Sequence, residues 1–373
     1  MARIHPQIDK QQVRAQRRVG MHLTQRIEIV RGGERQGSPQ VQRRGPSINL
    51  ALRERFRGAG VTMTKRILSI DGGGIRGILP LAILVEIETR LAKPCADLFD
   101  MIAGTSIGGI IATGLAHRVP AKALYEMLMA DGGTIFAKSI LTYPLSIVEP
   151  KYDAAPLEKF LNEKLGGTTL DAVKDTELLV PACDLIRGDT IFFKSWRARK
   201  DPFYNFALAD IARATSAAET YFSPAPIRSV GGDLYRCIDG GTAANNPTPA
   251  AILEADHLWP GEHLAVLSIG TGFQTEVLSP ANYGLTGWLP YIPGIFMDFQ
   301  ASVLDRLARW AAGGVVRCNI PLGPAVATAF DDASPENPEA LSSLGQQFVA
   351  ADINRALGIF AEPAAKPVKP PVA

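Results

Sequence analysis

Residues 66–77 read RILSIDGGGIRG, and this stretch decides the fold class that we expect. Its first five residues are mostly apolar and predict a short buried strand. The aspartate and three glycines that follow predict a turn, and the pattern after them predicts an amphipathic helix over about 79–91. A strand, a glycine-rich turn and a helix in this order indicate one unit of an α/β fold.

The same alternation continues along the chain. Further strands are predicted at 98–103, 178–184, 190–194, 234–238 and 264–269. Further helices are predicted at 107–117, 153–165, 208–218, 247–256, 301–313 and 339–357. Strands that alternate with helices predict a mainly parallel sheet with helices on both faces.

Charge divides the chain into two unlike parts. The formal net charge of the 373 residues is only +2. Residues 1–62 hold 13 Lys and Arg against 4 Asp and Glu, which leaves 26 basic and 33 acidic residues in the rest. We therefore predict a basic, disordered extension over 1–62, a folded domain over 63–360 and a Pro/Ala-rich disordered tail over 361–373. The extension could also contact nucleic acid or anionic lipid, or be translated sequence upstream of Met63.

Several classes of protein are excluded by the composition. No apolar run is long enough to span a bilayer, and the N-terminus has no apolar core of a secretory signal. The four cysteines are scattered without metal-ligand spacing, which indicates free thiols in a reducing compartment. We expect a cytoplasmic protein without a transmembrane segment, with a peripheral position at the membrane left open.

Glycine-bearing turns follow four of the predicted strands, at 71–74, 104–108, 239–241 and 270–272. In an open α/β sheet, ligands bind where the carboxyl ends of the strands meet. Candidate chemistry is therefore expected along this edge.

The glycines at 72–77 also match G-x-G-x-x-G, a dinucleotide-binding motif. That motif requires an acidic residue about 20 residues further on, at the end of the second strand. Glu86 and Glu88 fall within the predicted helix, and Asp100 falls inside the next predicted strand. A nucleotide-binding module therefore stays an alternative of another class, with weaker support.

Residues 104–108 read GTSIG and fit the G-x-S-x-G nucleophile elbow, in which a serine lies on a sharp turn between a strand and a helix. Ser106 is thus a candidate nucleophile. The start of the following helix favours negative charge beside that serine, because its backbone N–H groups lack partners.

A serine nucleophile needs a base, and no histidine is well placed. His117 lies about 16 Å along the helix from Ser106. His257 and His263 precede a strand at the opposite edge of the sheet, and the other two histidines lie in the N-terminal extension.

Asp239 is the better candidate for the base, because it ends a strand and precedes two glycines. A carboxylate there could take the serine proton directly. It could instead cap a turn before glycines. Asp71 has the same Ile-Asp-Gly-Gly context, and we expect it to be structural.

An oxyanion hole is expected at Gly72, Gly73 and Gly74, whose backbone N–H groups can point at one spot without interference from side chains. Arg76 follows these glycines. It could steady the loop or bind an anionic head group, although a lone arginine usually forms a surface ion pair.

These motifs together resemble the patatin-like phospholipase family. They are DGGGIRG at 71–77, GTSIGG at 104–109 and DGG at 239–241, with supporting matches at 212–222, 244–247 and 268–272. The resemblance covers about 65–271. The family usually has proline where this chain has Glu219, which affects only the expected shape of that loop.

The resemblance implies a three-layer α/β/α sandwich and lipid acyl hydrolysis without a metal or other cofactor. Ser106 would be the nucleophile, Asp239 the base, and Gly72, Gly73 and Gly74 the oxyanion hole, with Arg76 steadying the loop. The implied partner is a lipid ester at a membrane or micelle surface, and nucleic acid is not expected. Some bacterial members are antiviral effectors activated by a cyclic nucleotide, and no residue here decides that alternative.

Residues 283–299 concentrate large apolar side chains, among them Trp288, Tyr291, Phe296 and Met297. The stretch could be a buried irregular loop. It could also be a lid or an interfacial patch, since Trp and Tyr favour the boundary between lipid and water.

Overall fold

The structure is a computed structural model that describes residues 63–135, 149–274, 284–288, 292–327 and 329–361. The predictions for 1–62, for the tail after Ala361 and for part of 283–299 fall outside the described residues.

Parallel pairing joins five strands of the central sheet, in the order β3-β2-β1-β7-β9. These are β1 (Thr64–Ile70), β2 (Met101–Gly104), β3 (Glu177–Asp184), β7 (His263–Ile269) and β9 (Val315–Cys318). The glycine turns after β1, β2 and β7 therefore lie at one edge of the sheet, as the sequence predicts.

An antiparallel part extends the sheet beyond β3. It consists of β4 (Asp189–Lys194), β5 (Ala225–Arg228) and β6 (Leu234–Ile238). β3 continues past the end of β2, and β6 runs back along this continuation, with Ile238 paired to Cys183. The chain after Ile238 is thus returned to the end of β2 by an antiparallel strand.

Helices lie between and around these strands. In chain order they are α1 (Ile78–Leu91), α2 (Cys95–Leu98), α3 (Ile107–Ala116), α4 (Ala121–Ile135), α5 (Ala155–Leu165), α6 (Ser195–Ala198), α7 (Leu208–Thr215), α8 (Gly241–Ala244), α9 (Thr248–Leu258), α10 (Leu285–Trp288), α11 (Ile292–Ala311) and α12 (Glu336–Leu357). A small separate sheet pairs β8 (Phe273–Gln274) with β10 (Pro321–Leu322).

Two apolar layers cover the two faces of the sheet. Successive residues of β1 alternate between them, because side chains of a strand point to opposite faces. Ile67 packs with α9 and Ala308 of α11, whereas Leu68 packs with α1, α3, α7 and α12. This arrangement confirms the predicted three-layer α/β/α sandwich with a mainly parallel sheet.

Some element boundaries differ from the prediction. α11 begins at Ile292 rather than at 301. Pro293 and Gly294 interrupt the sequence pattern there, but proline is tolerated in the first turn of a helix. The strand predicted at 98–103 is shorter in the structure and spans Met101–Gly104. Leu98, the first residue of the predicted strand, is the last residue of α2. Within the described ranges, no helix combines the length and hydropathy that crossing a membrane would need.

Candidate active site

Ser106 lies on a sharp turn between β2 and α3. Its backbone has φ 54° and ψ −124°, a conformation that side-chain-bearing residues rarely adopt. A Cβ at Gly104 would lie 2.0 Å from the Gly108 carbonyl oxygen, and one at Gly108 would lie 2.4 Å from the Ile70 oxygen. The two glycines of G-x-S-x-G are therefore required by close backbone contacts on either side of the serine.

Thr215, at the end of α7, fixes this turn. The Ser106 amide donates to Thr215 Oγ1 at 3.0 Å, and Thr215 Oγ1 donates to the Pro181 carbonyl at 2.7 Å. The elbow is thereby tied to β3. Sequence reasoning gave Thr215 no role, although it lies within the supporting match at 212–222.

The Ser106 hydroxyl donates a hydrogen bond of 2.7 Å to Asp239 Oδ2. Asp239 Oδ1 accepts from the Gly241 amide at 2.6 Å. Both side chains of the pair are buried. The structure thus brings together the serine and the carboxylate that the sequence singled out, which lie 133 positions apart.

The backbone of Asp239 is held by the end of α7. Its amide donates to the Ala217 carbonyl at 3.0 Å, and the Gly240 amide donates to the Thr215 carbonyl at 3.1 Å. A Cβ at Gly240 would lie 2.3 Å from the Pro181 oxygen. Glycine is therefore needed at 240 so that the chain can approach β3 closely.

The histidines of the described residues lie elsewhere. His117 is at the C-terminal end of α3, His257 is in the last turn of α9, and His263 begins β7. The start of β7 is at the edge opposite the glycine turns, as predicted from the sequence. The arrangement at Ser106 therefore pairs the serine with a carboxylate directly.

Burial raises the pKa of Asp239 to about 7. The hydrogen bonds from the Gly241 amide and the Ser106 hydroxyl act in the opposite direction, and the charge of Glu219 adds to the increase. A carboxylate with a pKa near neutrality can accept a proton and release it again at physiological pH. Glu219 is the residue that departs from the family pattern, and its charge raises the pKa of the candidate base. It also accepts a hydrogen bond from Thr242 Oγ1.

The glycine loop after β1 borders the serine. A Cβ at Gly72 would lie 3.1 Å from Ser106 Cβ. The Gly72 amide donates to the Asn245 carbonyl at 3.1 Å, so it is already occupied. The amides of Gly73 and Gly74 have no acceptor within the part of the chain that the structure describes, which leaves them as the available donors of the loop.

Arg76 is buried beneath the same loop, with only 1% of its side chain exposed. Its guanidinium lies 4.0 Å from the centroid of the Phe330 ring, and burial lowers its pKa to about 10. Nε and Nη1 have no hydrogen-bond partner among the described residues. The interpretation of Arg76 as a surface ion-pair residue is therefore wrong, because the side chain is buried.

Helix α11 closes the site from the other side. The Asn245 amide donates to Gln300 Oε1 at 2.5 Å, and Gln300 Nε2 donates to the Thr242 carbonyl at 3.2 Å. The Met297 methyl group lies 3.4 Å from the point where a Gly72 Cβ would be. Sequence reasoning missed Gln300. Its neighbour Met297 was noticed only as part of an apolar stretch.

The acidic residue required by a dinucleotide site lies at the wrong edge. Asp100 precedes β2 rather than lying inside it, and its carboxylate accepts from Lys65 Nζ at 2.8 Å and from the Arg66 amide at 2.9 Å. These partners belong to the first half of β1, away from the glycine loop. Geometry therefore weakens the nucleotide-binding alternative.

Comparison with known proteins assigns the family. The model of the patatin-like phospholipase family matches residues 68–252, which contain all three motifs. Patatin-like protein 2 of Arabidopsis thaliana is 30% identical over 343 residues, covering 78% of this chain and 84% of that protein. The chain belongs to the patatin-like phospholipase family.

Bacterial relatives of this patatin-like chain carry a more specific name. A cGAMP-activated phospholipase of Escherichia coli is 33% identical over 245 residues, covering 61% of this chain and 67% of that protein. One from Vibrio cholerae is 30% identical over 341 residues, covering 79% and 94% respectively. The predicted family is confirmed, and the chain is a lipid acyl hydrolase.

Proposed function

We propose that this patatin-like hydrolase cleaves fatty-acyl ester bonds of phospholipids or related lipids through a Ser106–Asp239 dyad and an acyl-enzyme. The observation that carries the proposal is the 2.7 Å hydrogen bond from Ser106 Oγ to Asp239 Oδ2. This bond aligns the hydroxyl proton with its acceptor, which is the geometry that nucleophilic catalysis requires.

In the first half of the reaction, Ser106 Oγ attacks the ester carbonyl carbon while its proton passes to Asp239. The carbonyl oxygen becomes an oxyanion, and the amides of Gly73 and Gly74 donate hydrogen bonds to it. Gly72 contributes by leaving room beside Ser106, and Arg76 supports the loop from below through Phe330. The intermediate then expels the lipid alcohol, which takes the proton from Asp239.

In the second half, a water molecule attacks the acyl ester on Ser106. Asp239 accepts a proton from that water, and the new oxyanion accepts hydrogen bonds from the amides of Gly73 and Gly74. Release of the fatty acid returns the proton to Ser106 Oγ. Because each half needs Asp239 first as a base and then as an acid, a pKa near 7 suits both roles.

The test is fatty-acid release from phosphatidylcholine by the wild type, Ser106→Ala and Asp239→Asn. Loss of a nucleophile or of its base is expected to reduce kcat by about 10³-fold or more. Ser216→Ala is the matched control, because Ser216 is a buried hydroxyl near the site that bonds only carbonyls of its own helix region. Full activity of either dyad variant would refute the mechanism. Saturable NAD binding without hydrolysis would support the nucleotide-binding alternative instead.

Activation by a cyclic nucleotide, as in an antiviral effector, is the second candidate. It is favoured by the relatives from E. coli and V. cholerae, which are named cGAMP-activated phospholipases. Fatty-acid release should be measured with and without added cGAMP. A rise of at least tenfold that Ser106→Ala abolishes would support activation, and an unchanged rate would indicate constitutive hydrolysis.

A further inference from the structure

Large apolar side chains are exposed along one face of α11. The exposed fractions are 70% for Phe296, 65% for Phe299, 55% for Val303, 47% for Leu307 and 84% for Trp310. Their spacings of three, four, four and three residues place them on one side of a helix. We call these five residues the apolar stripe.

The stripe differs from other exposed apolar residues of the described chain. Val230, in the β5–β6 connection, is 58% exposed, and Leu253 on α9 is 67% exposed. Neither has another exposed large apolar residue in the same connection or helix. Single exposed apolar residues are normal on protein surfaces, whereas contiguous apolar patches mark contact surfaces. From Phe296 to Trp310 the stripe extends about 21 Å along the helix.

The flank of the same helix next to the stripe touches the candidate active site. Met297 lies against the glycine loop, and Gln300 holds the segment between Thr242 and Asn245. The stripe begins one residue before Met297. A surface that contacts the stripe would therefore lie beside the candidate active site.

The charges on α11 match a surface that carries phosphate groups. From Phe296 onward, the exposed polar residues of this helix are Ser302, Arg306 and Arg309. Its carboxylates, Asp298 and Asp305, are partly buried. Asp305 pairs with Arg309 at 3.0 Å, so Arg306 is the cation of this segment that faces solvent for a phosphate group. Phe, Leu and Trp beside exposed arginines are typical of helices that lie in the interface of a bilayer.

We propose that the apolar stripe of α11 is the surface on which the protein docks to a lipid bilayer. This inference rests on the proposed function, because it assigns the stripe to the lipid phase that holds the substrate. Phe296, Phe299 and Trp310 insert at the boundary of head groups and acyl chains, and Arg306 faces the phosphates. Docking places the loop at Gly72 and Met297 against the bilayer, so an acyl ester reaches Ser106 with little exposure to water.

Docking can be measured without catalysis by flotation with vesicles of phosphatidylcholine and phosphatidylglycerol, using Ser106→Ala protein. Adding Phe299→Ser and Trp310→Ser is expected to reduce vesicle binding at least tenfold. The control adds Val230→Ser and Leu253→Ser, which remove two apolar side chains elsewhere that are also more than half exposed, and it should leave binding unchanged. Equal binding of both variants would overturn the proposal.

Activity separates docking from the proposed chemistry. With Ser106 intact, Phe299→Ser/Trp310→Ser should keep hydrolysis of p-nitrophenyl butyrate within twofold and lose at least tenfold on vesicles. If the wild type binds vesicles through the stripe but hydrolyses neither substrate, the proposed function fails and docking stands. If the substitutions instead convert a dimer to a monomer, by light scattering, with vesicle binding unchanged, the stripe contacts a second copy and docking is refuted.

Discussion

Two turns of this molecule share the sequence Ile-Asp-Gly-Gly and differ in what their aspartates meet. Asp71 lies at the end of β1 and Asp239 at the end of β6, and both are buried. Arg317 of β9 donates to both carboxylate oxygens of Asp71, with 2.8 Å from Nη1 to Oδ1. Asp239 instead accepts from a hydroxyl and an amide. The partner of each aspartate, Arg317 or Ser106, therefore decides which of the two can serve as a base, because their local sequences are the same.

The partner also decides the chemistry of each carboxylate. Burial raises the pKa of both, because it disfavours the charged form. The Arg317 guanidinium opposes that increase at Asp71, whereas among the described residues no cation acts on the pKa of Asp239. Asp71 is thus suited to hold β1 and β9 together, and Asp239 to exchange a proton with Ser106.

The largest effect on stability is expected from Arg317→Leu, which leaves Asp71 buried without its partner. We expect a loss of about 3–5 kcal/mol in the free energy of unfolding, measured by urea denaturation. Arg309→Leu is the control, since Arg309 pairs with Asp305 at 3.0 Å on the surface, and such pairs contribute less than about 1 kcal/mol. Equal small losses in both variants would contradict the structural role of Asp71.

Asp239→Asn should have the opposite effect on stability. A folded-state pKa near 7 against the ordinary aspartate value of 3.8 means that the stability contributed by Asp239 is present below about pH 4 and lost as the pH rises through 7. The asparagine removes that pH-dependent loss. The gain in unfolding free energy over wild type should therefore be about 1–3 kcal/mol larger at pH 8 than at pH 5.

Denaturation at the two pH values measures this difference directly, with Asp184→Asn as a control for replacing a buried carboxylate that has an arginine partner. A destabilised Asp239→Asn protein at both pH values would show that Asp239 is held as Asp71 is, for structure. A gain confined to high pH would sharpen the contrast between them.

Sequence reasoning located the chemistry but missed several of its supports. Ser106 and Asp239 carry local signals, since each follows a predicted strand and has glycines within two residues. The side-chain hydrogen bonds of Thr215, Gln300 and Arg317 carry no local signal, because they join residues 34 to 246 positions apart. The antiparallel direction of β6 could have been inferred from the short glycine-containing connection at 229–233, which is typical of a hairpin.

Ser106 offers a smaller test of the same site. Its positive φ costs about 1–3 kcal/mol for a residue with a side chain, and glycine adopts it freely. Ser106→Gly should therefore be more stable than Ser106→Ala by about 1 kcal/mol, although both lose the hydroxyl. Thermal unfolding of the two inactive variants compares them. An equal or less stable glycine variant would mean that the elbow is not strained.

The smallest expected effect comes from Glu219→Gln, which keeps the acceptor for Thr242 and removes a charge that raises the pKa of Asp239. The acidic limb of kcat/KM on p-nitrophenyl butyrate should move to lower pH by a fraction of a unit, and less at high salt, since Glu219 is exposed. Glu163→Gln, on the exposed side of α5, is the control. A shift to higher pH would contradict the role of Glu219.

Activation of Ser106 by Asp239 can be measured as the rate at which an alkyl fluorophosphonate labels the protein between pH 5 and 9. Labelling forms a bond from Ser106 Oγ to phosphorus and releases fluoride, so it needs the nucleophile and its base but no lipid. We expect a label on Ser106 alone, a rate that rises with an apparent pKa near 7, and labelling about 10²-fold slower or more in Asp239→Asn. A label on another residue, or an equal rate in Asp239→Asn, would show that Asp239 does not activate Ser106.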